Sequence, residues 1–289
     1  VLLPRKSYRV HFPGGNGSDL AGIIDRPDSV GVFPVAVFSH CFTCNKDLKA
    51  IVRMSRALAE MGIAVLRYDM TGLGGSQGDF SRTSFTTNVA DLGSAIAFAQ
   101  SQLGPVTALV GHSFGGAASL AVAGGMGGVL ASVSSLRAVV ALAAPSDTQH
   151  LAVLLTGKDR RILSEGSGSV NIGGRDWTIR REMIEDLRSH SLPDTISRIQ
   201  IPTLLLHSPD DSTVSFDHAL RIMGLIQASP YGGAPVSLLS LQGADHLLSQ
   251  NQEDIDLVAS SVAAFLRRYA QPLASSVPSD SLADSRNPS

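Results

Sequence analysis

Short runs that are apolar at nearly every position recur along this chain, each followed by a stretch with the start and stop signals of a helix. Pro34 to Ser39, Ala64 to Tyr68, Val106 to Val110, Ala138 to Ala143, Thr203 to His207 and Val236 to Leu241 show no polar alternation. They read as strands buried on both faces. Leu48 to Met61 begins after Asp47 as a cap and ends at Gly62, and Phe85 to Leu103 begins after Thr83-Ser84 and ends at Gly104, as helices do. Ser215 to Ala228 and Asp254 to Tyr269 add further helices, the last with Ile255, Val258, Val262, Phe265 and Leu266 along one side. Buried strands alternating with helices imply an α/β fold, a mostly parallel sheet with helices on both faces. Tyr8 to Phe12 and Leu20 to Asp25, around Pro13-Gly14-Gly15-Asn16-Gly17, predict an antiparallel hairpin at the start of an eight-stranded sheet.

Between Ala144 and Gln200 the alternation stops for about 55 residues, too long for an ordinary connection. This predicts an inserted cap or lid over 148–200, between core segments 1–147 and 201–271. The insertion holds a Gly/Ser-rich piece, Gly166 to Gly174, the only tryptophan, Trp177, and an amphipathic helix expected from about Thr178 to His190. The tail, 272–289, is rich in Ser, Pro and Asp and is expected to be disordered.

Net charge is −2 with the two signs interspersed, so no nucleic-acid or anionic-membrane partner is expected and a small molecule is. No apolar run reaches the roughly 18 residues of a membrane span, and Arg5, Lys6 and Arg9 stand where a signal peptide needs apolar residues. A cytoplasmic location follows as the expectation. Cys41 and Cys44 form Cys-x-x-Cys without a second pair, and His40 is badly spaced for a structural zinc. The pair reads as two small side chains packed in a loop, the rival being a dithiol switch that silences the protein on oxidation. No metal and no cofactor are expected.

Gly111-His112-Ser113-Phe114-Gly115-Gly116 follows one buried strand and leads into the small residues Ala117 to Ala123. A serine between glycines at such a junction reads as a nucleophile elbow. A serine hydroxyl needs a base and a carboxylate that orients the base. His246 lies just past the last strand, and Asp210 and Asp211 just past the one before. The order Ser, Asp, His at strand carboxyl ends resembles the α/β-hydrolases. The segment from His207 to Val214 resembles their His-Gly-x-x-Asp-x-x-Val pattern, which favours Asp211 as the triad carboxylate and leaves Asp210 as a solvated loop group. Tyr68-Asp69-Met70-Thr71-Gly72-Leu73-Gly74-Gly75-Ser76 resembles their Asp-x-x-Gly-x-Gly-x-Ser segment, with Asp69 structural.

The resemblance implies an oxyanion hole made by the N–H of Phe114 and, by analogy with His-Gly-Phe loops, that of Phe42, with Cys41 where glycine is usual. His40, Cys41, His112 and Trp177 are candidate substrate contacts, the alternatives being that the two histidines only support the site from behind and that Trp177 is an anchor pinning the cap helix to the core. His40-Cys41-Phe42-Thr43-Cys44-Asn45-Lys46-Asp47, Ala143-Ala144-Pro145-Ser146-Asp147, Ile172-Gly173-Gly174-Arg175 and Gly243-Ala244-Asp245-His246-Leu247-Leu248 resemble the hydrolase half of bifunctional α/β-hydrolase/OsmC-like proteins. A peroxide-reducing OsmC-like domain commonly follows that half; a polar tail stands here, so the second activity is not carried over. The resemblance implies a serine carboxylesterase acting on esters of small acyl groups through an acyl-enzyme on Ser113. Thioesterase, acyltransferase or peptidase chemistry on the same triad, and a slow-turnover small-molecule receptor, are the alternatives.

Overall fold

A computed structural model describes residues 2–272; the tail expected to be disordered lies, from residue 273 on, outside the described residues. The chain opens with the hairpin β1 (Arg5–Pro13) and β2 (Asp19–Pro27), followed by β3 (Val35–Ser39), α1 (Lys49–Glu60), β4 (Ala64–Tyr68), α2 (Phe85–Leu103), β5 (Val106–His112), α3 (Phe114–Ala123) and β6 (Ala138–Leu142). The stretch expected to be a cap holds α4 (Gln149–Lys158), α5 (Arg161–Ser164), β7 (Ser167–Ile172), β8 (Arg175–Arg180), α6 (Arg181–Ser189) and α7 (Leu192–Ile196). The core resumes with β9 (Thr203–His207), α8 (Asp217–Gln227), β10 (Val236–Ser240) and α9 (Gln252–Tyr269).

The main sheet has eight strands in the order β1-β2-β4-β3-β5-β6-β9-β10. β1 pairs antiparallel with β2 and β2 with β4, and every other neighbour is parallel. This is the expected α/β architecture. Successive residues of a strand point to opposite faces, so Leu109 joins one apolar cluster with Phe85, Val89 and Leu92 of α2, while Val110 joins the other with Ile51, Met54 and Leu58 of α1 and Val258 and Val262 of α9. A sheet covered on both sides needs continuous apolar strands, and each fully buried Val or Leu side chain contributes roughly 1.5–3 kcal/mol.

Two local expectations are corrected. Asp47 does not cap α1: Leu48 holds that position with no side-chain hydrogen bond, and Asp47 instead pairs with Lys46 at 3.1 Å and the buried Arg67 at 3.1 Å. The helix expected from Thr178 starts at Arg181, because Thr178 to Arg180 complete β8, which pairs antiparallel with β7 across the Gly173-Gly174 turn. Ile179, Met183 and Leu187 are buried as the pattern required, but Ile179 reaches the core from a strand. Among the described residues no helix is long and apolar enough to cross a membrane.

Candidate active site

β3 and β5 are neighbours, whereas β4 lies on the far side of β3, so the chain leaves these strand ends in opposite directions and opens a crevice between them. Ser113 sits at the end of β5. Its backbone turns through φ 54° and ψ −117°, a region that costs a non-glycine residue about 1–3 kcal/mol unless its surroundings hold it there. The hold comes from Ser113 N–H donating to Leu142 O at 2.7 Å and from Ala117 N–H donating to Ser113 O at 3.0 Å. The flanking glycines are sterically required. A Cβ on Gly111 would lie 2.2 Å from Gly115 O, and one on Gly115 would lie 2.3 Å from Ser39 O. The hydroxyl makes no capping bond to α3.

His246 Nε2 lies 2.9 Å from Ser113 Oγ, and His246 Nδ1 lies 2.7 Å from Asp211 Oδ2. An ionised carboxylate only accepts, so Nδ1 carries the proton and Nε2 presents its lone pair to the serine hydroxyl. Asp211 stands after β9, where its Oδ1 accepts the N–H groups of Thr213 at 2.8 Å and Val214 at 2.9 Å. Burial alone raises its pKa, but the hydrogen bonds from His246, Val214 and Thr213 outweigh it and hold the carboxyl below its ordinary value.

The loop carrying His246 is braced at several points. Asp245 accepts from Ser249 N–H at 2.7 Å and Ser249 Oγ at 2.8 Å, and Asp210 accepts from Gly243 N–H at 2.8 Å. Asp210, expected to be only a solvated group, thus ties the Asp211 loop to the His246 loop. His112 Nε2–H donates to the backbone carbonyl of His246 at 2.7 Å. Burial pushes the His112 imidazole down to about 3, and neighbouring His246 pushes the same way, so His112 is a neutral strut.

Neither Phe42 N–H nor Phe114 N–H has an acceptor among the described residues. Phe114 opens α3, where the helix leaves its first amides unpaired. Phe42 follows β3, next to β5. Their rings meet edge to face with centroids 5.3 Å apart, Phe42 also touches Phe80 at 5.4 Å, and Phe80 touches Trp177 at 4.7 Å. This aromatic chain joins the β3 loop to β8.

Ser113, Phe42, Phe114 and His246 open into a cavity of about 610 Å³, within the usual range for small-molecule sites of roughly 300–1,000 Å³. Of the four candidate substrate contacts, Cys41 and Trp177 line it. His40 and His112 do not. Both are buried, and His40 uses its ring on Cys41 O at 2.8 Å and Met70 N–H at 3.1 Å, with burial holding its pKa below the ordinary value. The structure also brings in residues that the sequence reading missed: Leu151, Leu154, Leu155 and Lys158 of α4, with Ile172 and Arg175 of the hairpin. In the sequence all six fall in the stretch expected to be a cap, and Ile172 and Arg175 also end the Ile172-Gly173-Gly174-Arg175 motif.

Cys41 and Cys44 are joined as a disulfide, which corrects the reading of two separate packed side chains. The bond closes the loop that carries Phe42. Asp69 is structural as expected, accepting from Lys46 N–H at 2.6 Å, Gly75 N–H at 2.7 Å and Lys46 Nζ at 2.8 Å. Among the described residues no group of three or more His, Cys, Asp or Glu side chains is arranged to hold a metal ion.

The sequence matches the alpha/beta hydrolase family over residues 36–277. Among solved structures it is similar to the esterase domain of a Rhodothermus marinus protein, with 34% identity and a TM-score of 0.70 over 92% of this chain and 99% of that one. It also resembles Est1E from Butyrivibrio proteoclasticus with ferulic acid bound, at 18% identity and a TM-score of 0.74 over 90% and 98% of the two chains. The mouse alpha/beta hydrolase domain-containing protein 10 aligns at 20% identity and a TM-score of 0.69 over 90% and 99%. No curated protein matches the sequence.

Proposed function

The chain belongs to the alpha/beta hydrolase family, and from that premise we propose that it is a serine carboxylesterase with Ser113 as nucleophile, His246 as general base and acid, and Asp211 as the group that orients the imidazole. The observation that carries this reading is the continuous relay from Asp211 Oδ2 through His246 to Ser113 Oγ, at 2.7 and 2.9 Å, beside two N–H groups without acceptors among the described residues. The similarity to the Rhodothermus marinus esterase domain supports it.

Ser113 Oγ attacks the ester carbonyl carbon while its proton passes to His246 Nε2. The carbonyl oxygen takes up the negative charge, and the N–H groups of Phe42 and Phe114 stabilise it. The C–O bond to the alcohol then breaks, the alcohol leaving with the proton from His246, and Ser113 retains the acyl group. Water repeats the sequence, giving its proton to His246 and its oxygen to the acyl carbon, and releases a carboxylic acid with the serine restored. Residues 148–200 act in this reading as a cap that shapes the acyl site. The shared motif phrasing supports placing the chain with the hydrolase halves of OsmC-like proteins.

The test is hydrolysis of a short p-nitrophenyl ester by wild type, Ser113→Ala and Asp211→Asn, with a fluorophosphonate label mapped by peptide mass. Wild type turns over and is labelled on Ser113. Ser113→Ala loses at least about 10³-fold in kcat, and Asp211→Asn, which lets the imidazole adopt the wrong tautomer, about 10²- to 10⁴-fold. Wild-type rates in a folded Ser113→Ala protein would remove the assignment.

A further inference from the structure

The cavity carries a charge pattern that hydrolysis of a neutral ester does not use. Its lining includes no Asp or Glu, yet it includes Lys158 at the end of α4 and Arg175 at the start of β8. Ser113 is 8% exposed, whereas Lys158 and Arg175 are exposed residues, so the cations stand at the mouth and the nucleophile at the floor. Neither cation makes an ion pair or a side-chain hydrogen bond among the described residues. Nearby carboxylates are already engaged. Asp176 accepts from the Asn171 amide at 2.8 Å, and Asp159 is paired with Arg161 at 2.8 Å.

Arg175 is also held in place. Its guanidinium carbon lies 4.3 Å from the centroid of the Trp177 ring, a cation–π contact that uses none of its N–H donors. A planar fork of donors so presented matches a carboxylate. The same lining includes the apolar side chains of Leu151, Leu154, Leu155 and Ile172, suited to a hydrocarbon spacer.

The geometry points to an ester substrate that carries a free carboxylate at the end remote from the scissile carbonyl, with Lys158 and Arg175 receiving it. The inference rests on the esterase reading for the orientation of the ligand, but binding tests it separately from turnover. The carboxylate belongs either to the acyl part, as in a monoester of a dicarboxylic acid, or to the alcohol part, as in an ester of a hydroxybenzoic acid.

Trp177 is the only tryptophan in the chain, so intrinsic tryptophan fluorescence comes from one residue that lines this cavity. The experiment titrates Ser113→Ala protein with monomethyl adipate and with methyl hexanoate, and repeats both in Lys158→Gln and Arg175→Gln backgrounds. The charged ligand is expected to bind roughly fivefold more tightly, the size expected for exposed ion pairs, and either substitution to remove most of that margin by weakening the charged ligand more than methyl hexanoate. The margin should also shrink with added salt. Equal affinity for the two ligands, or a margin untouched by both substitutions, overturns the inference. In wild type, p-nitrophenyl monoadipate against p-nitrophenyl hexanoate probes the acyl side, and 4-acetoxybenzoate against 4-acetoxybenzamide the alcohol side. Where these esters are hydrolysed, preference for the anion on either side supports the site and names its orientation, and preference on neither overturns it. If the margin in binding is found but no ester is hydrolysed, the carboxylate site stands and the esterase reading falls.

Discussion

The rings of Phe42 and Phe114 pack edge to face with their centroids 5.3 Å apart, so the two residues whose N–H groups serve as oxyanion donors in the proposed reaction are locked to each other through their side chains. One belongs to the loop after β3 and the other opens α3. An aromatic pair of this kind contributes about 0.5–1.5 kcal/mol beyond its buried area, and here it also sets the spacing of two backbone donors. Phe42→Leu and Phe114→Leu are each expected to lower kcat about three- to thirtyfold with a smaller change in KM, because the donors act on charge that develops only in the transition state. Steady-state kinetics of the single and double variants measure the coupling. Strictly multiplicative losses would mean that the rings do not cooperate.

The Cys41–Cys44 bond closes the loop on which Phe42 stands, so it holds a catalytic donor in the proposed mechanism. Cys41→Ser/Cys44→Ser protein, and wild type treated with dithiothreitol, should lose roughly three- to tenfold in kcat, a fraction of what deleting an oxyanion donor costs. The sign is opposite to a switch that silences the protein on oxidation. Mass spectrometry of the alkylated protein confirms the thiol state, and activity rising on reduction would contradict the positioning role.

His112 is buried and neutral, with its pKa pushed from 6.5 down to about 3. Between those two values the unfolded chain takes up a proton at this position and the folded protein does not. The stability it confers is therefore complete above pH 6.5 and is lost as pH falls toward 3, by up to about 1.4 kcal/mol per pH unit. Burial lowers the pKa of His40 and His207 as well, which steepens the acid limb in the same direction. His112→Gln keeps a donor for His246 O but does not titrate. Urea unfolding from pH 7 to pH 4 should show the variant losing stability less steeply than wild type, and parallel profiles would refute the account.

Trp177 is 8% exposed, packs on Phe80 and lines the cavity. Trp177→Ala is expected to cost about 3–5 kcal/mol in stability, as a large buried aromatic does, and also to shift relative rates across acyl lengths. A lower melting temperature with an unchanged acyl profile would leave Trp177 as an anchor only.

Most of the sheet was legible because buried parallel strands write themselves as unbroken apolar runs: Ala64–Tyr68, Thr203–His207 and the helix Phe85–Leu103 fall where the pattern put them. Ser113, Asp211 and His246 were legible because an elbow and two strand-end loops have local signatures, and the structure brings the three side chains together. For His40 and His112 the sequence left a supporting role and a substrate-facing one both open, because nothing in one dimension distinguishes a buried strut from a lining group. The disulfide was missed because Cys-x-x-Cys has several chemistries and pairing depends on loop geometry. The insertion was least legible: β7 and β8 alternate weakly, and Lys158 and Arg175 look like any surface cations until the fold sets them around one opening.

Ser113, Asp211 and His246 hang from three different strands, and β10, the strand that precedes His246, lies at the sheet's outer edge. During synthesis, under the proposed chemistry, the emerging polypeptide holds its nucleophile long before it holds the base. Without the strand at the sheet's outer edge in place, Ser113 has no imidazole beside it, so hydrolysis reads out completion of the sheet.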